Sequence, residues 1–198
     1  MRLAILAVPA LLLIATEARA DGLFAEVHAG IAIPVADDEY TDNADESFKL
    51  GARLGSGSAT RAIDLAFDFT PVNDELSSAF ATVDVSRYRI QLGGRVASKV
   101  APNARLFGRV SAGVDLLRYH AYGSVLGVDF DQSETDAGLA LEVEGGVIFD
   151  LGKVSLVAWL GVPMAFHFDD DDPNDATDAD LEYTGIDLDL TAAVSIPF

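Results

Sequence analysis

Charged residues recur at every second position in several stretches of the chain. Arg87 and Arg89 alternate with Tyr88 and Ile90, Glu142 and Glu144 with Leu141 and Val143, and Asp187 and Asp189 with Leu188 and Leu190. A period of two is that of a β-strand, whose successive side chains point to opposite faces. The charges in each stretch therefore share one face. The whole set is Glu26, Lys49, Arg53, Asp64, Asp68, Arg87, Arg89, Arg95, Arg105, Arg109, Asp115, Glu142, Glu144, Asp187 and Asp189. Opposite charges gathered in this way can line an ion-selective passage or lock one another in salt bridges. Buried charges require partners, and acidic stretches lie next to basic ones along the chain. The second reading is therefore preferred.

Three other groups of residues bear on chemistry. The run "DDDDPNDATDADLE" (169–182) sets carboxylates close together, as Ca²⁺ requires. It lacks the glycine and the spacing of a calcium loop, so Asp169, Asp170, Asp171, Asp172 and Asp175 are at most weak Ca²⁺ or Mg²⁺ candidates, and a solvated acidic loop is preferred. His120 and Ser124 stand in "RYHAYGS", and His167 adjoins the acidic run. No motif joins them into a catalytic triad, so no catalytic residue and no cofactor is expected. His28 shares its face with Glu26 and is expected to hydrogen-bond among the other charges.

The elements that carry these residues are all strands. Eight segments alternate with period two, beginning near Leu23, Phe48, Ile63, Tyr88, Leu106, Leu139, Leu156 and Ile186. Each is expected to run for roughly nine to fifteen residues, and about 9–11 suffice for a tilted strand to cross a bilayer. Four acidic connections, 36–46, 70–78, 127–136 and 169–182, alternate with three shorter ones, 55–61, 97–104 and 150–153. Phe107 falls on the charged face of its strand, a misfit that a β-bulge would correct. Arg118 departs from the apolar face just beyond Leu116.

Composition narrows the fold. Half of the 198 residues are hydrophobic, yet the formal net charge is −19 and there is no cysteine. Such acidity argues against nucleic acid as a partner. Without disulfides, packing or a membrane must hold an exported chain together. Export is expected from Leu3–Ala15, an apolar run ahead of Ala18-Arg19-Ala20, which reads as a cleavable signal peptide over 1–20 and leaves a single domain over 21–198. The charged face also carries Gly51, Gly93, Gly113, Gly138 and Gly146. Small residues among long arginines suit a narrow interior, and an eight-stranded barrel has one just wide enough to be filled by side chains. The predicted fold is all-β: an eight-stranded antiparallel up-and-down transmembrane β-barrel with its apolar face toward lipid.

The first strand, "LFAEVHAGIAIPV", and the last, "LDLTAAVSIPF", give the chain a resemblance to the eight-stranded outer-membrane barrels of Gram-negative bacteria: the OmpA transmembrane domain, OmpX and the opacity-type proteins. The resemblance spans 21–198. It implies residence in the cell outer membrane, with outer-membrane lipid and lipopolysaccharide as surroundings. It also implies that Leu190, Ala192, Val194, Ile196 and Phe198 resemble the signal read by the barrel-assembly machinery. Two departures from the pattern are expected: no peptidoglycan-binding domain, and few girdle aromatics.

The expected protein is monomeric, with both mature termini periplasmic, a lumen plugged by salt bridges, and acidic extracellular loops. Its expected role is structural or in surface interaction, and it is not expected to be an enzyme. The alternatives are a small porin-like diffusion channel and an outer-membrane lipid-modifying enzyme.

Overall fold

The computed structural model describes residues 22–36, 46–72, 81–125, 128–168 and 181–198. Eight strands follow one another: β1 (Leu23–Ala36), β2 (Ser47–Gly57), β3 (Arg61–Val72), β4 (Ala81–Ala101), β5 (Ala104–Val125), β6 (Val128–Asp150), β7 (Ser155–Phe168) and β8 (Leu181–Pro197). Every strand pairs antiparallel with the next, and β8 returns to β1, so the sheet is a closed barrel. At the seam, Leu23 and Phe198 exchange both backbone hydrogen bonds, at 3.0 and 2.8 Å. The last residue is therefore part of the closure, and no edge is left to offer unpaired N–H and C=O groups.

Inside and outside are inverted relative to a soluble barrel. The exposed large residues are apolar: Val27, Leu54, Leu65, Leu92, Val143, Leu160 and Leu190 among them. Polar and charged residues make up most of the buried set. In water this arrangement would forfeit the hydrophobic contribution to folding, whereas in a bilayer it is the expected one. Both faces follow the two-residue alternation in the sequence, and the parity expected for β7 is correct: Leu156, Ala158, Leu160 and Val162 face out.

Four expectations require correction. Residues 128–136, expected in a loop, form the first part of β6, paired with β5 up to Val125↔Val128. Composition misleads there because both faces of the hairpin tip meet water, which removes the apolar alternation while the backbone ladder continues. The strands are correspondingly longer than expected, with β4, β5 and β6 at 21, 22 and 23 residues. The segment 97–104 is not an extended connection either: β4 continues to Ala101 and β5 resumes at Ala104. At about 3.3 Å per residue, β5 and β6 run well beyond the thickness of a bilayer. The predicted signal peptide and most of the first, second and fourth acidic connections lie outside the described residues.

The bulge expected near Phe107 is absent. The β5–β6 register is unbroken, and the shift on the β4 side falls between Lys99 and Ala101. Phe107 points inward and packs with Ile148, Val157, Trp159 and Ala193. These five form an apolar floor at the end of the barrel that holds the termini, called here the lower end. The expected sparseness of girdle aromatics has a related explanation, because the single Trp belongs to this floor and not to the outer surface.

Candidate functional site

The candidate site is the lumen, where the charges form three tiers. In the lowest, just above the apolar floor, Arg53 on β2 donates to Glu144 on β6 through Nη1 at 2.9 Å and Nη2 at 2.5 Å. Arg109 on β5 reaches the same carboxylate through Nη1 at 2.7 Å, and holds Asp64 on β3 through Nη2 at 2.7 Å and Nε at 3.0 Å. Arg95 Nη1 donates to Glu26 Oε2 at 3.2 Å, and Glu26 Oε1 also stands 3.6 Å from Arg53. The tier is joined to the floor by cations over rings. The Arg53 guanidinium lies 4.3 Å from the Trp159 ring centre, and that of Arg95 lies 5.7 Å from Phe107 of the floor and 4.7 Å from Phe24 beside it.

The middle tier gathers around Lys49. Its Nζ donates to Asp189 Oδ2 at 2.5 Å and lies 3.7 Å from both Asp68 Oδ1 and Glu142 Oε1. His28 Nε2 is 2.5 Å from Asp68 Oδ1, and its ring stands edge-on to Trp159. The partner of His28 is therefore on β3, while Glu26, its neighbour on β1, faces the lower tier. In the upper tier, Arg87 and Arg89 both donate to Asp187 Oδ2, at 2.8 and 2.7 Å. Arg89 Nε also donates to Asp115 Oδ1 at 2.8 Å. His167 lies between two carboxylates, its Nε2 3.0 Å from Asp115 Oδ2 and its Nδ1 2.6 Å from Asp136 Oδ2. Val85 and Leu117 pack together at the upper end.

Strand order explains the reach of these contacts. In a ring of eight, β2 stands opposite β6 and β4 opposite β8. The Arg53–Glu144 and Arg87/Arg89–Asp187 bridges thus span two different diameters of the barrel. Glycine makes room for the long side chains. A Cβ at Gly93 would collide with the Arg109 guanidinium, and one at Gly51 with His28 Nε2 and Asp68 Oδ1.

Of the fifteen charged residues singled out from the sequence, fourteen are buried in these tiers. Arg105 is not among them. It sits at the lower rim, where it donates to Asp150 through Nε at 3.0 Å and Nη2 at 2.6 Å and to the carbonyl of Ala59 at 2.7 Å. Its position one alternation below Phe107 puts it beneath the apolar floor. Arg105 and Arg95 line a pocket of about 40 Å³ at this mouth, whose wall includes Ile148 and Val157 of the floor. The Arg105 bonds hold the Asp150 carboxyl below the usual carboxylate range.

Sequence reasoning leaves His167 and Asp136 out of the set. Both lie on the inward parity of their strands, which is the available signal, but β7 is apolar on both parities and composition assigns residue 136 to a loop. The catalytic alternative gains no geometry. His120 Nε2 lies 2.9 Å from Asp131, while Ser124 is four residues along the same strand, about 13 Å away at strand rise. His167 is engaged with Asp115 and Asp136. Arg118 is exposed, on the outward side of β5. Asp169, Asp170, Asp171, Asp172 and Asp175 lie outside the described residues.

No family model matches the chain, and no curated protein matches it. Solved structures do. Neisserial surface protein A superposes with a TM-score of 0.56 at 16% identity, covering 90% of this chain and 99% of that one. A major outer membrane protein from Thermus thermophilus gives 0.58 at 11% identity, with coverage of 89% and 99%. Ail, the attachment invasion locus protein of Yersinia pestis, in complex with the heparin analogue sucrose octasulfate, gives 0.51 at 17%, again with 89% and 99%. At these identities the likeness concerns architecture. By fold, the chain is an eight-stranded antiparallel up-and-down β-barrel of the outer-membrane type, as the OmpA-, OmpX- and opacity-like resemblance implied.

Proposed function

We propose that this protein is an integral outer-membrane barrel whose lumen is a structural plug and whose role is played at the cell surface. The observation that carries the reading is the Arg53–Glu144 fork, which crosses the barrel between opposite strands. A bidentate pair at hydrogen-bond distance across a diameter, above an apolar floor, supports a closed interior over an open passage. Both termini lie at the end with the short turns, which is the periplasmic end on this reading. The β5–β6 hairpin then projects outward, carrying exposed Asp129, Asp131 and Glu134. The surroundings are outer-membrane lipid and lipopolysaccharide, and the closing strand, with Leu190, Ala192, Val194, Ile196 and Phe198, would be presented to the barrel-assembly machinery. The working unit is a monomer. An acidic hairpin is a poor match for a polyanion such as the sucrose octasulfate bound by Ail, and it favours cationic partners or divalent bridging to phosphate.

The test is conductance in planar bilayers at neutral pH. The plug predicts no steady openings above the bare-membrane baseline. Regular openings large enough to pass small solutes would replace it with the diffusion-channel reading.

A further inference from the structure

The chain has a formal net charge of −19, yet its lower mouth is basic. The turns at that end and the strand residues beside them hold Arg61, Lys99, Arg105 and Lys153. Among the described residues Asp150 is the only acidic side chain there, and the C-terminal carboxylate of Phe198 shares that end. Arg61, Arg95 and Arg105 line the pocket at this mouth, together with Ser155, Ser195 and the 58–60 turn. We infer that this pocket is a binding site for a phosphate group, supplied by a phospholipid headgroup or by free phosphate on the lower side of the membrane.

Two lining side chains are at least nine-tenths buried and have bonding capacity to spare. A guanidinium carries five N–H donors. Among the described residues Arg95 makes one hydrogen bond, from Nη1 to Glu26 Oε2 at 3.2 Å. Glu26 also stands 3.6 Å from Arg53, so it does not serve Arg95 alone. The Ser195 hydroxyl has no hydrogen-bond partner among the described residues, although Ser195 is only 8% exposed. Buried polar groups require partners, and an oxyanion accepts from both. Arg95 on β4 and Ser195 on β8 come from opposite strands, which suits a ligand with acceptor oxygens on several sides. A guanidinium matches phosphate oxygens two at a time. Arg105 adds charge more than donors, because Asp150 accepts from its Nε and Nη2 and the Ala59 carbonyl from its Nη1. Ser155 is likewise engaged, donating to Asp150 at 2.8 Å. Over the whole rim the balance stays positive. The volume is about 40 Å³, on the order of three water positions, which admits a small oxyanion and no bulky ligand. Ile148 and Val157 of the floor form part of its wall, so entry is from below. The wall is also built in advance: the Ser58 N–H donates to the Arg61 carbonyl at 2.7 Å and the Ala97 N–H to that of Thr60 at 2.8 Å.

The experiment is a titration of the full chain in maltoside micelles, which contain no phosphate, followed by NMR of the arginine Nε–H signals and the Ser195 amide. Inorganic phosphate is the probe in one arm, and phosphatidylglycerol doped into the micelles is the probe in the other. Sodium chloride at matched ionic strength is the reference for both. A saturable shift of the Arg95 and Ser195 signals is expected, and the arm that produces it identifies the source of the phosphate. Arg95→Gln should weaken binding about tenfold or more, the loss of a charge-assisted hydrogen bond. Ser195→Ala should weaken it several-fold, and Arg118→Gln, on the outward side of β5, should leave it unchanged. If Arg95→Gln fails to fold, Ser195→Ala decides alone, because it removes a hydroxyl that bonds to nothing in the protein. No saturable shift in either arm, a shift that chloride reproduces, or binding that survives Ser195→Ala intact overturns the inference. The pocket lies below the floor, so it and the plug can fail separately. Steady bilayer openings refute the plug, whereas a failed titration in a non-conducting barrel refutes only the phosphate site.

Discussion

Arg53 and Glu144 stand on strands half a barrel apart and are joined by two parallel hydrogen bonds. No backbone ladder links β2 to β6, so this contact is one of the side-chain struts that brace the cylinder from within. Removing Arg53 leaves Glu144 with only the Arg109 that it shares with Asp64, a buried charge short of compensation, which is more costly than the net worth of the pair. Arg53→Ala is expected to lower stability by about 3 kcal/mol. Urea unfolding, followed by the mobility shift between folded and unfolded barrel on gels, measures it. Arg53→Met combined with Glu144→Leu should recover most of the loss, because neither charge then remains. An unchanged midpoint for Arg53→Ala would mean that water already solvates the lumen.

Arg109 and Arg89 provide the matching test in two tiers. Arg109 serves Asp64 and Glu144, and Arg89 serves Asp115 and Asp187. Arg109→Ala and Arg89→Ala should each cost about 3 kcal/mol. The tiers share few partners, so the double variant should lose close to the sum, within about 0.5 kcal/mol.

Gly93 is predicted to be intolerant of a side chain because of its neighbour, not its backbone. Gly93→Val would push the Arg109 guanidinium off Asp64, and a loss of about 1–3 kcal/mol is expected. Gly145, whose added Cβ would meet nothing within 4 Å, is the control, and Gly145→Val should be close to silent in the same unfolding assay.

Trp159 reports directly on the floor. It is the only Trp, is buried inside the barrel, and lies against Arg53 and His28. Acrylamide should quench its emission poorly in the folded protein and freely in urea. Arg53→Ala should change the emission of the folded protein, since it removes the cation over the ring. Ready quenching in the native state would show that water reaches the floor.

The lower rim supplies the pH prediction. Hydrogen bonding from Arg105 depresses the folded pKa of Asp150. A depressed carboxylate contributes stability above its unfolded pKa of about 3.9, and that contribution is lost as pH falls through the folded value. Asp150 is well exposed, so the amount is small, about 0.5 kcal/mol or less. Arg105→Ala should therefore lower the melting temperature slightly at about pH 6 and leave it unchanged once Asp150 is protonated in both states. An equal loss at both pH values would assign the Arg105 contribution to its bond with the Ala59 carbonyl.

The sequence by itself determined the strand count, the two faces and the identity of nearly every charge in the lumen. All of these depend on alternation, a local property that a strand imposes on any chain following it. It also showed that β2, β4 and β5 are basic where β1, β3, β6 and β8 are acidic. Only the tertiary structure decided the partners. Adjacent strands suggested hairpin neighbours, yet Arg53 reaches Glu144 and Arg89 reaches Asp187 across the full width, because closure brings opposite strands within the length of an arginine. Closure also assigned Phe107, which alternation alone made look like an error, to an apolar floor with Trp159. It gave His167 two carboxylates from strands 52 and 31 residues away in sequence. The acidic start of β6 remained hidden for the converse reason. Where water covers both faces, a strand needs no apolar period, and only the backbone bonds to β5 reveal it.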